Sequence, residues 1–304
     1  MESTLAFSGL QLLGIPIALA GAVLMSIGTQ YQSIGLNKVE RITRKSASSG
    51  LSGAHLGQLL RRPSWLFGTG ALGLAVGLQM VALALSPLIV VQPLGVVALV
   101  VTAVLNAKFT GVVIPKRVRV AISFCVLGIF VFVATAAMTA HDVQVSEMQL
   151  IIILVIFAVV VASLVSAFIA LRHRPNALLY IVGAGILYGF VATFAKTVIS
   201  RIQQGEFGFL TWLALGALIL GAVLGMIYVQ NAHSSGPPDL VIAGLTVIDP
   251  IVAVLIGIIV LGEAQHAPIW AALIFSISGL IAMLGVFGIA KFHPQVGKDA
   301  LQDD

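Results

Sequence analysis

The sequence predicts an all-α integral membrane protein with nine transmembrane helices, arranged as two inverted four-helix repeats joined by a linking helix. Composition gives the first indication: 59% of the residues are hydrophobic and 9% are charged, whereas soluble domains carry about 25% charged residues. The apolar residues also occur in runs of roughly 20 residues, the length that crosses about 30 Å of hydrocarbon as a helix. Finally, the basic residues fall between these runs in an alternating pattern, which is typical of membrane topology.

Nine apolar segments account for most of the chain. Ser86 and Pro87 alone separate the second from the third, so these two are expected to form a tight helical hairpin. The predicted spans are about 12–35, 64–85, 87–107, 118–138, 149–171, 178–200, 209–230, 239–261 and 268–290.

The distribution of positive charge predicts the orientation. All Lys and Arg residues except Lys196 and Arg201 lie in the loops after the first, third and fifth spans or in the C-terminal tail. The positive-inside rule then places the N-terminus outside and the C-terminus in the cytoplasm of a plasma membrane, which we expect to be bacterial. Because the net charge of +5 is spread between spans, no nucleic-acid partner is expected. The stretch 51–62 fits either a surface helix on the inner leaflet or a solvated loop.

An internal repeat predicts the domain organisation. When Pro87 is placed on Pro238, the apolar sequences after them align, and Gly111 falls on Gly262. The expected units are a first four-helix repeat over 1–140, a linking helix over 141–175, and a second repeat with a short tail over 176–304. A single linking span inverts the second half relative to the first, a recurrent transporter design in which the site lies between the halves.

Asp249 is the most informative residue for function. A carboxylate in the middle of a span is expensive, so it normally faces a cavity or a partner and marks a site. The alternative is a structural acid bonded to neighbouring hydroxyls. If a metal ion binds, Asp249 is the best candidate ligand. Pro250 follows it directly and, like Pro93 and Pro238, is predicted to break the helix or act as a hinge.

Further polar residues could line a pathway. Lys196 either snorkels to the interface or faces the cavity as the partner of Asp249. Ser26, Thr29 and Gln30 share one face of the first span, where they either line the pathway or join helices by hydrogen bonds. The repeat places this face opposite three residues of the sixth span: Tyr188, Thr193 and Lys196.

Several motifs resemble a known family. Pro238, Asp249-Pro250 and Gly262-Glu263 look like the pattern of the drug/metabolite transporter superfamily. Within it, the hairpin SPLIVVQPLGVVALVVTAVL and the segment NALLYIVGAGILYGFVATFAKTV are similar to the NIPA-type magnesium transporters. That branch carries an acid in its second span, where this sequence has only Gln79. The resemblance implies alternating access in a nine-span fold and Mg²⁺ or another divalent cation as substrate.

Two other classes of function stay open. One is a proton-coupled exporter or flippase of an organic metabolite, drug or lipid-linked headgroup. The other is an assembly partner in the membrane that transports nothing. The sequence has no Ser-His-Asp, Cys-His or H-E-x-x-H set, so neither enzymatic activity nor a cofactor is expected. The expected partners are the lipid bilayer and a small solute or cation, and a second copy of the chain in a homodimer is compatible with the sequence.

Overall fold

The computed structural model describes residues 2–43, 62–110, 113–171, 177–235 and 238–292. Over these ranges it is helical, with nine helices or helix pairs long and apolar enough to cross a membrane. The nine predicted spans are therefore confirmed, and their ends agree to within a few residues. Most of the proposed surface helix at 51–62 lies outside the described ranges.

The helical elements follow one another through short connections. Their bounds are α1 Glu2–Thr43, α2 Pro63–Leu85, α3 Leu88–Gly95, α4 Val97–Thr110, α5 Lys116–Thr139, α6 Glu147–Leu171, α7 Ala177–Gln203, α8 Phe209–Ser235, α9 Pro238–Ile256 and α10 Ile269–Phe292. A π-helical segment, Gly257–Leu261, continues α9 to the end of the eighth span.

Two of the three prolines predicted to break a helix lie at or near helix ends, although Pro93 itself is inside α3. The third span divides into α3 and α4 at Val96, close after Pro93, and α9 begins at Pro238. The expected break at Pro250 is wrong, because α9 continues through this residue. Proline withholds only one N–H, from the carbonyl of Thr246, and the rest of the helix keeps its bonds. The irregularity in this span lies instead at Gly257–Leu261.

Small residues let the helices approach closely in pairs. The closest pairs are α1 with α2, α7 with α8, and α5 with α10, while α9 packs mainly on α7. A Cβ on Gly128 would lie 2.5 Å from the backbone nitrogen of Ala282, and one on Gly189 would lie 2.6 Å from Cβ of Val252. Such close backbone contact is how helices associate in lipid, where apolar burial gives little driving force.

The helix order divides the charged residues between the two ends of the bundle. One end, here the acidic end, carries Asp142, Glu147, Glu206 and Glu263 together with Lys196 and Arg201. The other, the basic end, carries Arg62, Lys108, Lys116, Arg117, Arg119 and Lys291. Helix α7 runs through the middle of the molecule: 56% of its span is buried, against 17% for the peripheral α6.

Candidate functional site

Lys196 lies near the acidic end of α7 and is only 2% exposed. Its Nζ donates to the backbone carbonyls of Leu83 at 2.8 Å and Ser86 at 3.0 Å, at the C-terminal end of α2. It also lies 2.7 Å from Oδ1 of Asp142, which receives no directed hydrogen bond, so this contact is an ion pair. Free carbonyls at a helix C-terminus and a carboxylate both stabilise a cation, so the ammonium is held inside the protein rather than at an aqueous interface.

Glu263 binds the next helix of the same hairpin. Its two carboxylate oxygens accept hydrogen bonds from the backbone N–H groups of Leu88 at 2.7 Å and Ile89 at 2.8 Å. These N–H groups belong to the first turn of α3, where no intrahelical acceptor exists for them. Glu263 is 2% exposed, so a residue near the end of the eighth span caps a helix far away in the sequence.

Two glycines make this cap geometrically available. Gly262 has φ of 74°, the left-handed conformation that ends a helix most easily at glycine, and it turns Glu263 back towards α3. A Cβ on Gly257 would lie 2.8 Å from Oε2 of Glu263. The absence of a side chain at this position therefore leaves room for the carboxylate.

Burial of Glu263 and most of its polar contacts shift the pKa of its carboxyl group in opposite directions. Burial raises the pKa of Glu263 from 4.5 to about 7, although the N–H groups of Ile89 and Leu88 and the charge of Lys196 lower it and Asp142 raises it slightly. Desolvation thus outweighs the favourable contacts. We refer to Lys196, Asp142, Glu263 and the backbone groups of residues 83–89 that they contact as the Lys196 cluster.

Other polar contacts at the acidic end surround this cluster. Gln203 on α7 donates to the carbonyl of Ala84 at 3.2 Å, and Gln149 on α6 donates to the carbonyl of Leu261 at 3.1 Å. Arg201 lies 3.5 Å from Glu147 and 3.6 Å from Glu206, two acids that are largely exposed. Helices α2, α3, α6, α7 and α9 are thereby joined by polar contacts at one end of the bundle.

Asp249 has a different environment. The residue as a whole keeps some accessible surface, but its Oδ1 is buried and has no hydrogen-bond partner among the described residues. Tyr188 of α7 interacts electrostatically with Asp249. A buried carboxylate oxygen without a donor is costly; Oδ1 of Asp142 also receives no hydrogen bond but faces the ammonium of Lys196, whereas Oδ1 of Asp249 has no such cation among the described residues.

The packing around Asp249 positions it against α7. Cβ atoms built on Gly185 and Gly189 would lie 2.6 Å from Ile248 and Val252, the residues that flank Asp249 on the same face of α9. The Tyr188 ring in turn packs on Gly225 of α8. The backbone of Asp249 therefore lies against α7.

The neighbouring face of α9 borders an apolar cavity between α3, α5 and α10. Thr246 and Pro250 lie on its α9 side, and Pro93 and Val96 lie opposite them. Because Pro250 has no N–H, the carbonyl of Thr246 loses its helical donor here. The surface of the cavity is nevertheless apolar, and the Thr246 hydroxyl donates to the carbonyl of Ile242.

Most other predicted pathway residues bond to backbone. Ser26 is 1% exposed and donates to the carbonyl of Ala98 at 2.7 Å, which joins α1 to α4. Thr29 donates to the carbonyl of Ser26, and Thr193 to that of Gly189. Gln30 reaches the side-chain oxygen of Asn106 at 3.4 Å and borders a small cavity at the basic end. Helix joining, one of the two roles considered for Ser26, is what its contacts show.

The structure separates Lys196 from the role considered for it beside Asp249, because its ionic partner is Asp142. Asp142 was not among the residues predicted from the sequence, because it lies in a connection between spans. No group of three or more His, Cys, Asp and Glu side chains suited to a metal ion occurs among the described residues. Asp249 would therefore need backbone, hydroxyl or water oxygens to complete a cation site.

Among the described residues, nine helices long and apolar enough to cross a membrane, together with buried charges, define the class as a polytopic membrane protein. It is similar to an uncharacterized protein of Corynebacterium glutamicum, with 27% identity over 282 residues that cover 92% of this chain and 95% of that protein. No family model and no solved structure matches the chain.

Proposed function

We propose that the chain is a secondary transporter of the drug/metabolite type, which moves a small polar solute by alternating access between two inverted halves. The observation that carries this proposal is the unpartnered Oδ1 of Asp249 inside the eighth span. Intramembrane carboxylates mark solute or proton sites by default, because a protein with no use for them would replace them. A proton or a cationic group of the solute would supply the missing partner.

The pairing of helices supports the two-halved architecture. The first two spans pack on each other, as do the sixth and seventh, which the repeat makes equivalent to them. Helices α5 and α10, equivalent to one another, form a long contact between the halves, and α3 touches α9. These are the contacts expected when two copies of a four-helix unit are related by an axis in the membrane plane.

The substrate class follows from the lining of the central region. The apolar cavity on the neighbouring face of α9 borders Thr246 and Pro250 but not Asp249, so it would hold the apolar part of a small organic solute rather than the group that meets the carboxylate. Mg²⁺ or another divalent cation is the alternative, and it rests on the resemblance to NIPA-type transporters. Mg²⁺ keeps several waters and takes one or two carboxylates, and no group of three or more side chains suited to a metal ion occurs among the described residues, so we favour the organic solute.

A thermal-shift screen of the purified protein tests the proposal. Divalent cations, organic amines and polar metabolites are each added to the wild type and to Asp249→Asn. We expect at least one of these compounds to raise the apparent melting temperature of the wild type and to have no effect on the variant. Glu206→Gln, which neutralises a largely exposed acid, is the matched control and should respond as the wild type does. If no compound distinguishes Asp249→Asn from the other two proteins, Asp249 is not the solute site.

A further inference from the structure

The two ends of the bundle differ in how the first and second halves are connected. At the acidic end, Lys196 of α7 bonds to the carbonyls of Leu83 and Ser86, and Glu263 bonds to the amides of Leu88 and Ile89. Each of these four hydrogen bonds joins a side chain of residues 176–304 to backbone of residues 1–140. They therefore connect the two proposed halves directly.

Side-chain hydrogen bonds nearer the basic end stay within one half. Ser26 reaches Ala98, Gln30 reaches Asn106, and Gln32 reaches Thr69, all of which belong to residues 1–140. A cation–π contact between Arg117 and Phe292, at 5.6 Å, continues the α5–α10 packing towards this end. Among the described side chains, strong polar connections between the halves are therefore concentrated at the acidic end.

We propose that the Lys196 cluster is the gate that holds the acidic end closed, and that this end opens when Lys196 and Glu263 release the backbone of residues 83–89. The inference rests on the proposed transport function, since alternating access requires each end to open in turn. All partners of the cluster are backbone atoms at the tip of the α2–α3 hairpin or charges near it. One movement of this hairpin therefore breaks all four hydrogen bonds together, while Lys196 keeps its ion pair with Asp142.

The chemistry of the cluster suits a contact that is made and broken repeatedly. The ammonium and the two carboxylates lie near the end of the bundle, where water can solvate them as soon as the hairpin moves. Asp142 is 27% exposed, so a route to solvent already exists beside the buried Lys196. Charged groups that are paired when closed and hydrated when open leave neither state with an unsatisfied charge.

The test measures opening without any transport assay. In a Cys125→Ala background, Thr193→Cys places a thiol on α7 one turn inward from Lys196, at a position that is fully buried. The rate of its reaction with a bulky water-soluble maleimide then reports opening of the acidic end. Ser26→Cys, buried in the first half at 1% exposure, is the reporter for general loosening of the bundle.

We expect Lys196→Met to raise the labelling rate of Thr193→Cys about ten-fold or more, the effect of losing roughly 1.4 kcal/mol of closing free energy. The Ser26→Cys rate should stay unchanged. Arg201→Met is the matched control, because it removes the other buried cation from the same end of α7 without touching residues 83–89. In this control, the labelling rate of Thr193→Cys should stay within about two-fold of the rate measured when Arg201 is present.

Asp142→Asn provides a milder variant if Lys196→Met does not yield folded protein, and it should give a several-fold increase. The gate is overturned if neither variant accelerates labelling, if Arg201→Met does so equally, or if Ser26→Cys accelerates in parallel. If labelling of Thr193→Cys is accelerated without that of Ser26→Cys, but the protein transports no solute, the gate is supported and the proposed transport function is wrong. If the wild type transports a solute but the variants show unchanged labelling, the gate proposal is wrong and the transport function still stands.

Discussion

The Lys196 cluster and the surroundings of Asp249 differ in whether the buried charged groups have partners. At the acidic end, Lys196 has three oxygen partners and Glu263 has two N–H donors. In the middle of α9, Oδ1 of Asp249 has none among the described residues. Satisfied charges hold a conformation together, whereas an unsatisfied one in lipid persists only if a ligand or proton completes it. The two regions therefore predict different responses to neutralisation.

The largest expected effect on stability is that of Lys196→Met. It leaves Asp142 and two helix-terminal carbonyls without their cation, and breaking a buried ion pair from one side costs about 3–5 kcal/mol. Thermal unfolding in detergent should show a clear fall in melting temperature, much larger than for Arg201→Met, whose acid partners are exposed. Equal falls in the two variants would contradict the distinction between them.

Glu263 makes the stability of the acidic end depend on pH. Its pKa is raised from 4.5 to about 7 by burial, so the folded protein binds this proton more tightly than the unfolded chain does. The contribution of Glu263 to the free energy of unfolding is then fully present below about pH 4.5. It is lost as the pH rises through about 7, by at most roughly 1.4 kcal/mol per pH unit.

The measurement compares the wild type with Glu263→Gln between pH 5 and pH 8. The melting temperature of the wild type should fall relative to that of the variant as pH rises, with little further change above neutrality. A constant difference over this range would mean that Glu263 does not titrate here, and that its N–H donors outweigh desolvation.

Gly189→Ala tests the close contact that positions Asp249. The added methyl group would lie 2.6 Å from Cβ of Val252, and overpacking of this kind costs about 1–3 kcal/mol. Gly216→Ala on α8 is the control, because its new methyl group meets no other atom within 4 Å. The control should be neutral or slightly stabilised in thermal unfolding, and a Gly189→Ala variant as stable as this control would show that α7 and α9 are not in close contact.

Asp249→Asn should have the smallest effect on stability. The change removes a charge that no described group compensates, so we expect a melting temperature equal to or above that of the wild type. A loss as large as that of Lys196→Met would show that Asp249 is a structural acid with partners, and the comparison between the two regions would fail.

The spans were predictable because the bilayer imposes length and apolarity on each of them independently of their neighbours. The predicted second span, 64–85, agrees with the helix Pro63–Leu85 to within one residue. The sequence placed Gly262-Glu263 at the end of the eighth span, but the bonds of Glu263 to Leu88 and Ile89 depend on the packing of that span against α3.

The partner of Lys196 could not be predicted in the same way. Asp142 precedes it by 54 positions in a connection between spans, and only the packing of α7 against the α2–α3 hairpin brings them together. The π-helical segment at Gly257–Leu261 was also missed, while a break was expected at Pro250. Loss of one N–H at a proline is a local property, but whether the helix continues depends on the neighbouring helices.

Solute flux in proteoliposomes tests the central claim most directly. A compound that stabilises the purified protein is loaded into vesicles, and its exchange across the membrane is followed for the wild type, Asp249→Asn and Glu206→Gln. We predict exchange by the wild type and by Glu206→Gln and its loss in Asp249→Asn, although the last protein is folded and stable. Undiminished exchange by Asp249→Asn would contradict the account, because the unpartnered carboxylate in α9 would then serve no step of transport.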